Sequence, residues 1–243
     1  IGVDVIEVGY PGAFPKDFDE LVSVSQQIRN SIVCGLAGSH QKEIRTVASA
    51  IKSAKKGRIH IYTPVNLKHQ SQWSEVQTLE IIQDSISLAR NYCADVEWSA
   101  FDAARSEHNF LCKAVEVAIK SGATTLSIPD SLGTLSPEEF SELIAKIVNQ
   151  VPNIEQATLS VHCHDDLGLA VENSLVALDD GTRQIECSVN GLGARKGNAD
   201  LGEIVSRINQ NPKYHVNINT NLLPVASQLV TEVTGIKRSQ ASI

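Results

Sequence analysis

The sequence predicts an α/β protein, a TIM (β/α)8 barrel with the first βα unit missing from this chain. Short β-branched runs alternate with amphipathic helical segments along the whole length. The connections between them are short, as a parallel sheet with outer helices requires. Polar groups gather where apolar runs end, above all in Leu159-Ser160-Val161-His162-Cys163-His164-Asp165-Asp166-Leu167-Gly168. The C-terminal strand ends are where α/β barrels keep their chemistry.

The elements follow in order. Val3 to Tyr10 is a β-branched run closed by Pro11-Gly12, and 17–29 has helical periodicity through Phe18, Leu21, Val22, Val24 and Ile28. Strands are expected at 32–37, 58–63, 95–101, 124–128 and 184–189, with the histidine strand before the last. Helices are expected at 42–55, 74–91, 108–120, 136–150, 169–178 and 199–208, with an apolar-periodic tail helix over 221–233. Ser136-Pro137-Glu138-Glu139 is a helix start, with Ser as N-cap, Pro first and Glu third. A polar loop runs through Gln72. A doubly wound nucleotide fold would want a glycine-rich turn after its first strand, and Gly9-Tyr10-Pro11-Gly12 is not that pattern. A barrel needs eight strands and seven are legible, so the eighth unit is expected on the N-terminal side. Residues 1–212 form the expected barrel, and 213–243 a helical extension leading to an absent subdomain.

Composition narrows the function classes. A net charge of -7 argues against a general nucleic-acid or anionic-membrane binder. No apolar run approaches the ~20 residues of a membrane span. Five scattered cysteines suggest no disulfide framework and a reducing, cytoplasmic setting. Cys34, Cys163 and Cys187 fall in apolar runs and read as small buried residues.

On a strand, His162 and His164 face the same way and can share one metal ion. The spacing alone is equally that of two hydrogen-bonded histidines at a strand end. Barrel geometry would add Glu7, His60 with Thr63, Glu97 with Ser99, and Asp130 with Ser131. Asn198, in the glycine-rich loop after the next strand, could offer an amide oxygen. Two imidazoles with oxygen ligands suit a divalent first-row ion. Asp165 and Asp166 are alternative ligands, though as turn residues they more often cap the following helix.

Several stretches resemble the 2-isopropylmalate synthase family. They are His162-Cys163-His164-Asp165-Asp166-Leu167-Gly168-Leu169-Ala170, Asn173-Ser174, 181–186 and Asn190-Gly191-Leu192-Gly193-Ala194-Arg195-Lys196-Gly197-Asn198. Segments 5–11, 58–60, 95–99 and 128–133 are similar too, in the family's order. The resemblance implies a metal-assisted Claisen condensation of acetyl-CoA with 2-oxoisovalerate, on the way to leucine, by a homodimer. It implies His162, His164 and Asn198 as metal ligands, with manganese favoured over magnesium or zinc. Glu97 would be catalytic, near the reacting carbonyl. Ser131 would bond the substrate carboxylate, and His60, Thr63 and Glu7 would line the substrate pocket. Homocitrate and citramalate synthases are sister alternatives, and a barrel without catalysis is another. The chain departs from the family at several points, Ser131 for the usual Thr and a shortened segment 61–66 among them. It lacks the Arg-Asp-Gly that ends the family's first strand, carries Phe101 where a Glu is usual, and carries Ala194 where Glu precedes Arg.

Overall fold

A computed structural model describes residues 1–69 and 73–236. Seven parallel strands lie in sequence order in one sheet: β1 (Val5–Glu7), β2 (Ile32–Gly38), β3 (Gly57–Pro64), β4 (Val96–Phe101), β5 (Thr125–Asp130), β6 (Thr158–Cys163) and β7 (Gln184–Glu186). Helices follow them in turn: α1 (Lys16–Gln27), α2 (Gln41–Ala50), α3 (Glu75–Arg90), α4 (His108–Lys120), α5 (Pro137–Gln150), α6 (Ala170–Asp179) and α7 (Leu201–Asn209), with α8 (Leu223–Thr234) last. The alternating plan is that of the expected barrel. Among the described residues β1 and β7 do not pair with each other. The polar loop expected through Gln72 lies partly outside the described residues.

Two outer strands are shorter than their apolar runs. β1 ends at Glu7, backbone bonds to β2 run on to Gly9, and the chain then leaves the sheet at Tyr10, whose amide donates to the Asp17 carboxylate at 2.8 Å. β7 stops at Glu186 because Asn190 takes a left-handed conformation (φ 61°) three residues on from Cys187. α5 begins with the expected capping box, Ser136 and Glu139 satisfying each other's backbone amides around Pro137.

The two faces of the sheet differ. Ile59, Ile61, Val96, Trp98, Leu126, Ile128, Leu159 and Val161 point outward and form a dry core with the helices. The residues between them point inward and are polar: Arg58 and His60, Glu97 and Ser99, Thr125 and Ser127, Ser160 and His162, Gln184 and Glu186. A bond from Arg58 on β3 to Gln184 on β7, not neighbours in the sheet, places this second set inside the curve (2.9 Å). Between the edges of β1 and β7 a cleft of about 680 Å³ opens onto that interior, reaching Glu7, Glu97, His162, Glu186 and Asn198.

Replacing Ser136 by Ala removes a cap from α5, far from the interior. It should cost about 1 kcal/mol, read as a lower urea midpoint with an unchanged denaturant slope.

Candidate metal and substrate site

His162 is the fifth residue of β6 and faces inward. Its Nδ1 lies 2.9 Å from Glu186 Oε2, and its Nε2 lies 3.1 Å from Asn198 Oδ1. Burial lowers its pKa, but the bond and charge of Glu186 outweigh burial and raise it. His164 sits one inward position further, its ring centre 5.0 Å from that of His162. Burial, then the neighbouring His162 and Arg195, push its pKa down to about 4. The ring is therefore neutral at pH 7, and its Nδ1 is buried without a hydrogen-bond partner.

Asn198 is brought to this pair by the loop after β7. Its amide donates to the Gly191 carbonyl, its Nδ2 donates to Leu192 O at 3.0 Å, and it forms a bridge with His164. Two strands of loop backbone lie so close here that a Cβ on Gly197 (φ 104°) would collide with the Gly191 carbonyl oxygen. Only glycine allows the approach.

These groups fit a divalent ion by their chemistry. An orphaned neutral imidazole nitrogen, a second imidazole and an amide oxygen are donors that such ions take. His162 Nε2 and Asn198 Oδ1 lie 3.1 Å apart, in hydrogen-bond contact, so the two atoms sit side by side at the strand end. Glu7, Cys34 and His60 form another group that could hold an ion, their ligand atoms within 4.8 Å of one another.

Below the histidines the interior is an ionic network. Arg58, 6% exposed, pairs with Asp95 (3.0 Å) and Glu97 (2.9 Å). Gln184 Nε2 donates to Glu97 Oε1 at 2.7 Å and to Ser160 Oγ at 3.0 Å. Burial, then Glu186, push the Glu97 pKa up to about 7 against His60 and Arg58. His60 Nδ1 contacts Glu7 Oε2 at 2.6 Å; burial lowers the His60 pKa, but Glu7 and Glu97 override it and raise it to about 10. Its Nε2 is buried without a partner.

The protein-family comparison matches residues 1–230 to the HMGL-like family. The chain belongs to the HMGL-like family. Among curated members, a 2-isopropylmalate synthase from Rhodopseudomonas palustris (strain HaA2) is 46% identical over 240 residues, covering 96% of this chain and 46% of the relative. One from Methylococcus capsulatus is 44% identical over 239 residues, with the same shares. The chain thus spans about half the length of the curated relatives it matches. Among solved structures, an HMG-CoA lyase from Pseudomonas aeruginosa superposes with TM-score 0.80 at 20% identity, covering 99% of this chain and 84% of the other. One from Bacillus subtilis gives TM-score 0.81 at 18% identity, covering 98% and 84%. At these identities the likeness establishes the barrel fold alone.

In this HMGL-like chain the inner face brings Glu7, His60, Glu97, His162, His164 and Asn198 together; two other expected residues lie elsewhere. Thr63 is fully buried but three residues from His60, so strand alternation turns it to the outer face. There it accepts from Trp98 Nε1 at 3.0 Å and contacts Ser39 Oγ at 2.8 Å. The expectation that Thr63 lines the pocket with His60 is therefore corrected. Ser131 lies in the loop after β5, where its hydroxyl accepts from the Asp102 amide at 2.9 Å. Glu97 is the second residue of β4, not at its end, and both its oxygens are engaged. Asp165 accepts from the Ala170 amide at the start of α6, and Asp166 pairs with Arg195 at 2.8 Å, so both serve the turn. Sequence reasoning missed Arg58, Ser160, Gln184 and Glu186 as a network. The available signal was their period of two with His60 and His162.

Thr63→Val would strand the buried indole N–H of Trp98. A loss of roughly 1–3 kcal/mol is expected, with divalent-metal affinity unchanged when thermal unfolding and calorimetry are run side by side.

Proposed function

We propose that this chain is the barrel of a 2-isopropylmalate synthase, condensing acetyl-CoA with 2-oxoisovalerate on the route to leucine. The reading rests on the convergence of His162 Nε2 and Asn198 Oδ1, beside neutral His164, in a chain 42–46% identical to curated 2-isopropylmalate synthases. His162, His164 and Asn198 would hold a divalent ion, manganese ahead of magnesium or zinc. Held there, such an ion would supply Lewis acidity toward a 2-oxo acid.

The chain's own residues account for the remaining work. His60 presents a charged, unpartnered Nε2–H to the interior, suited to a substrate oxygen, with Glu7 holding the ring. Glu97, raised to about 7, has the pKa of a group that exchanges a proton at neutral pH. The Ser131 hydroxyl accepts from Asp102 and keeps its own proton free to donate to a substrate carboxylate. We further read residues 1–212 as barrel and 213–243 as an extension, in a cytoplasmic homodimer. The reading fits the free cysteines and the fact that no described helix is long and apolar enough to cross a membrane.

One observation favours a second reading. Phe101, 46% exposed, places an aromatic ring 6.0 Å from that of Tyr62 at the strand ends, where the resembled family carries a carboxylate. A sister enzyme acting on another 2-oxo acid, or a barrel without catalysis, would accommodate that change.

The test is release of free CoA thiol from acetyl-CoA by the full-length protein, with 2-oxoisovalerate, pyruvate or 2-oxoglutarate and Mn2+. Turnover dependent on 2-oxoisovalerate and abolished by chelation is the expected result. Preference for another acid selects the sister enzyme, and metal binding without any turnover selects the non-catalytic barrel. His162→Ala should weaken Mn2+ binding in calorimetry by tenfold or more; affinity equal to wild type would remove the metal site.

A further inference from the structure

We propose that Asp102 is a positioning residue: it holds the Ser131 hydroxyl with its oxygen occupied and its proton turned to the mouth, where a substrate carboxylate takes it. The proposal rests on the substrate-site reading above and adds a residue that neither the sequence nor the comparisons single out. Asp102 touches no substrate itself and acts through Ser131.

The first observation is backbone strain that converges on one residue. Asp102 follows β4 directly and has a left-handed backbone (φ 65°). Among the described residues only Asp102, Asn190 and Arg195 adopt that conformation without being glycine. It is unfavourable for a residue with a Cβ, less for Asp than for Arg, and persists where the surroundings impose it, often at functional sites. Two of these three residues grip Ser131. The Asp102 amide donates to Ser131 Oγ at 2.9 Å, and Arg195 Nη2 donates to the Ser131 carbonyl at 2.8 Å. The loop after β5 is thus held from the β4 side and from the β7 side.

The second observation is a buried donor with no acceptor. Ser131 is 5% exposed, and the bond it accepts from Asp102 is its hydroxyl's one hydrogen bond among the described residues. A hydroxyl accepts through its lone pairs and donates a single proton. The Asp102 amide fills the accepting side, so the proton is left for a group that the protein does not supply. A carboxylate fits, because it only accepts, and such a bond is strengthened by its charge.

Asp102 can set this geometry because its own is fixed. Its carboxylate accepts from Asn66 Nδ2 at 2.8 Å and from Arg105 Nε and Nη2 at 2.8 and 2.6 Å. Its carbonyl accepts from Ser106 Oγ at 2.8 Å. Every polar group of the residue is engaged, and it ties the loop after β3 to the loop after β5 across the end of β4.

Calorimetry of 2-oxoisovalerate binding to the full-length protein with Mn2+, without acetyl-CoA, tests the proposal. Ser131→Ala should raise Kd about tenfold or more, the loss of a hydrogen bond to a charged group. Asp102→Gly accepts the left-handed backbone and keeps the amide, but loses the carboxylate that fixes it. It should raise Kd by a similar factor, and the double variant should bind no worse than either single one. Asp102→Asn tolerates the same backbone and keeps one acceptor oxygen, so it should recover most of the affinity. A merely structural Asp102 would lower the unfolding temperature and leave Kd alone. Asp102→Gly within twofold of wild type, effects that multiply in the double variant, or Ser131→Ala binding as wild type does would overturn the proposal while the site reading stands. Wild-type protein that binds neither 2-oxoisovalerate, pyruvate nor 2-oxoglutarate would sink the site reading, and the proposal with it.

Discussion

Arg58 is the cation on which the inner face of this sheet depends. It is nearly inaccessible, and its guanidinium is shared between Asp95, Glu97 and Gln184. Barrel interiors are more often filled by layers of branched apolar side chains. Here β3, β4, β6 and β7 send charged and amide groups inward instead. Buried carboxylates are tolerated only when they are paired and hydrogen-bonded, and Arg58 supplies that pairing. Removing one member of such a pair typically costs 3–5 kcal/mol, because the partner charge is left stranded.

The network also orders the site above it. Its links run from the Arg58–Asp95 pair through Gln184 and Ser160 to Glu186 and His162, from the floor of the curve to the strand ends. Fixed side chains along such a path lose their freedom during folding, so a ligand meeting His162 finds the ring already oriented. The outer face contributes in another way. Trp98 and Thr63 lock β3 to β4 with a bond inside the dry layer, holding register where the inward residues must meet.

Much of this was legible in the residues. Strand and helix periodicities marked the seven strands and eight α-helices, because apolar alternation and helical spacing act locally, and missed the short 3-10 turns. The His162–His164 pair and the Asn198 loop stood out because their residue types are costly to bury without purpose. Thr63 was misplaced because strand ends were read as clusters, when parity decides the face: residues 58, 60 and 62 turn one way and 59, 61 and 63 the other. Glu186 and Gln184 were overlooked because a charged or amide residue in a short outer strand looks like a solvated edge. Their partners lie on β6 and, across the sheet, on β3 and β4, and pairing between distant strands cannot be read from local pattern.

The crossing of Gly191 and Gly197 bears on how such a protein can change over generations. That clasp has no room for a side chain at its centre, and Asn198 hangs from it. A side chain at residue 197 would have to push the Gly191 carbonyl aside, and with it the loop from which Asn198 reaches His162. The opposite half, where Tyr62 and Phe101 stand partly in the open, carries no such veto. The room for change at the mouth is therefore asymmetric: open on the β3 and β4 side, and tight where the loop after β7 crosses itself.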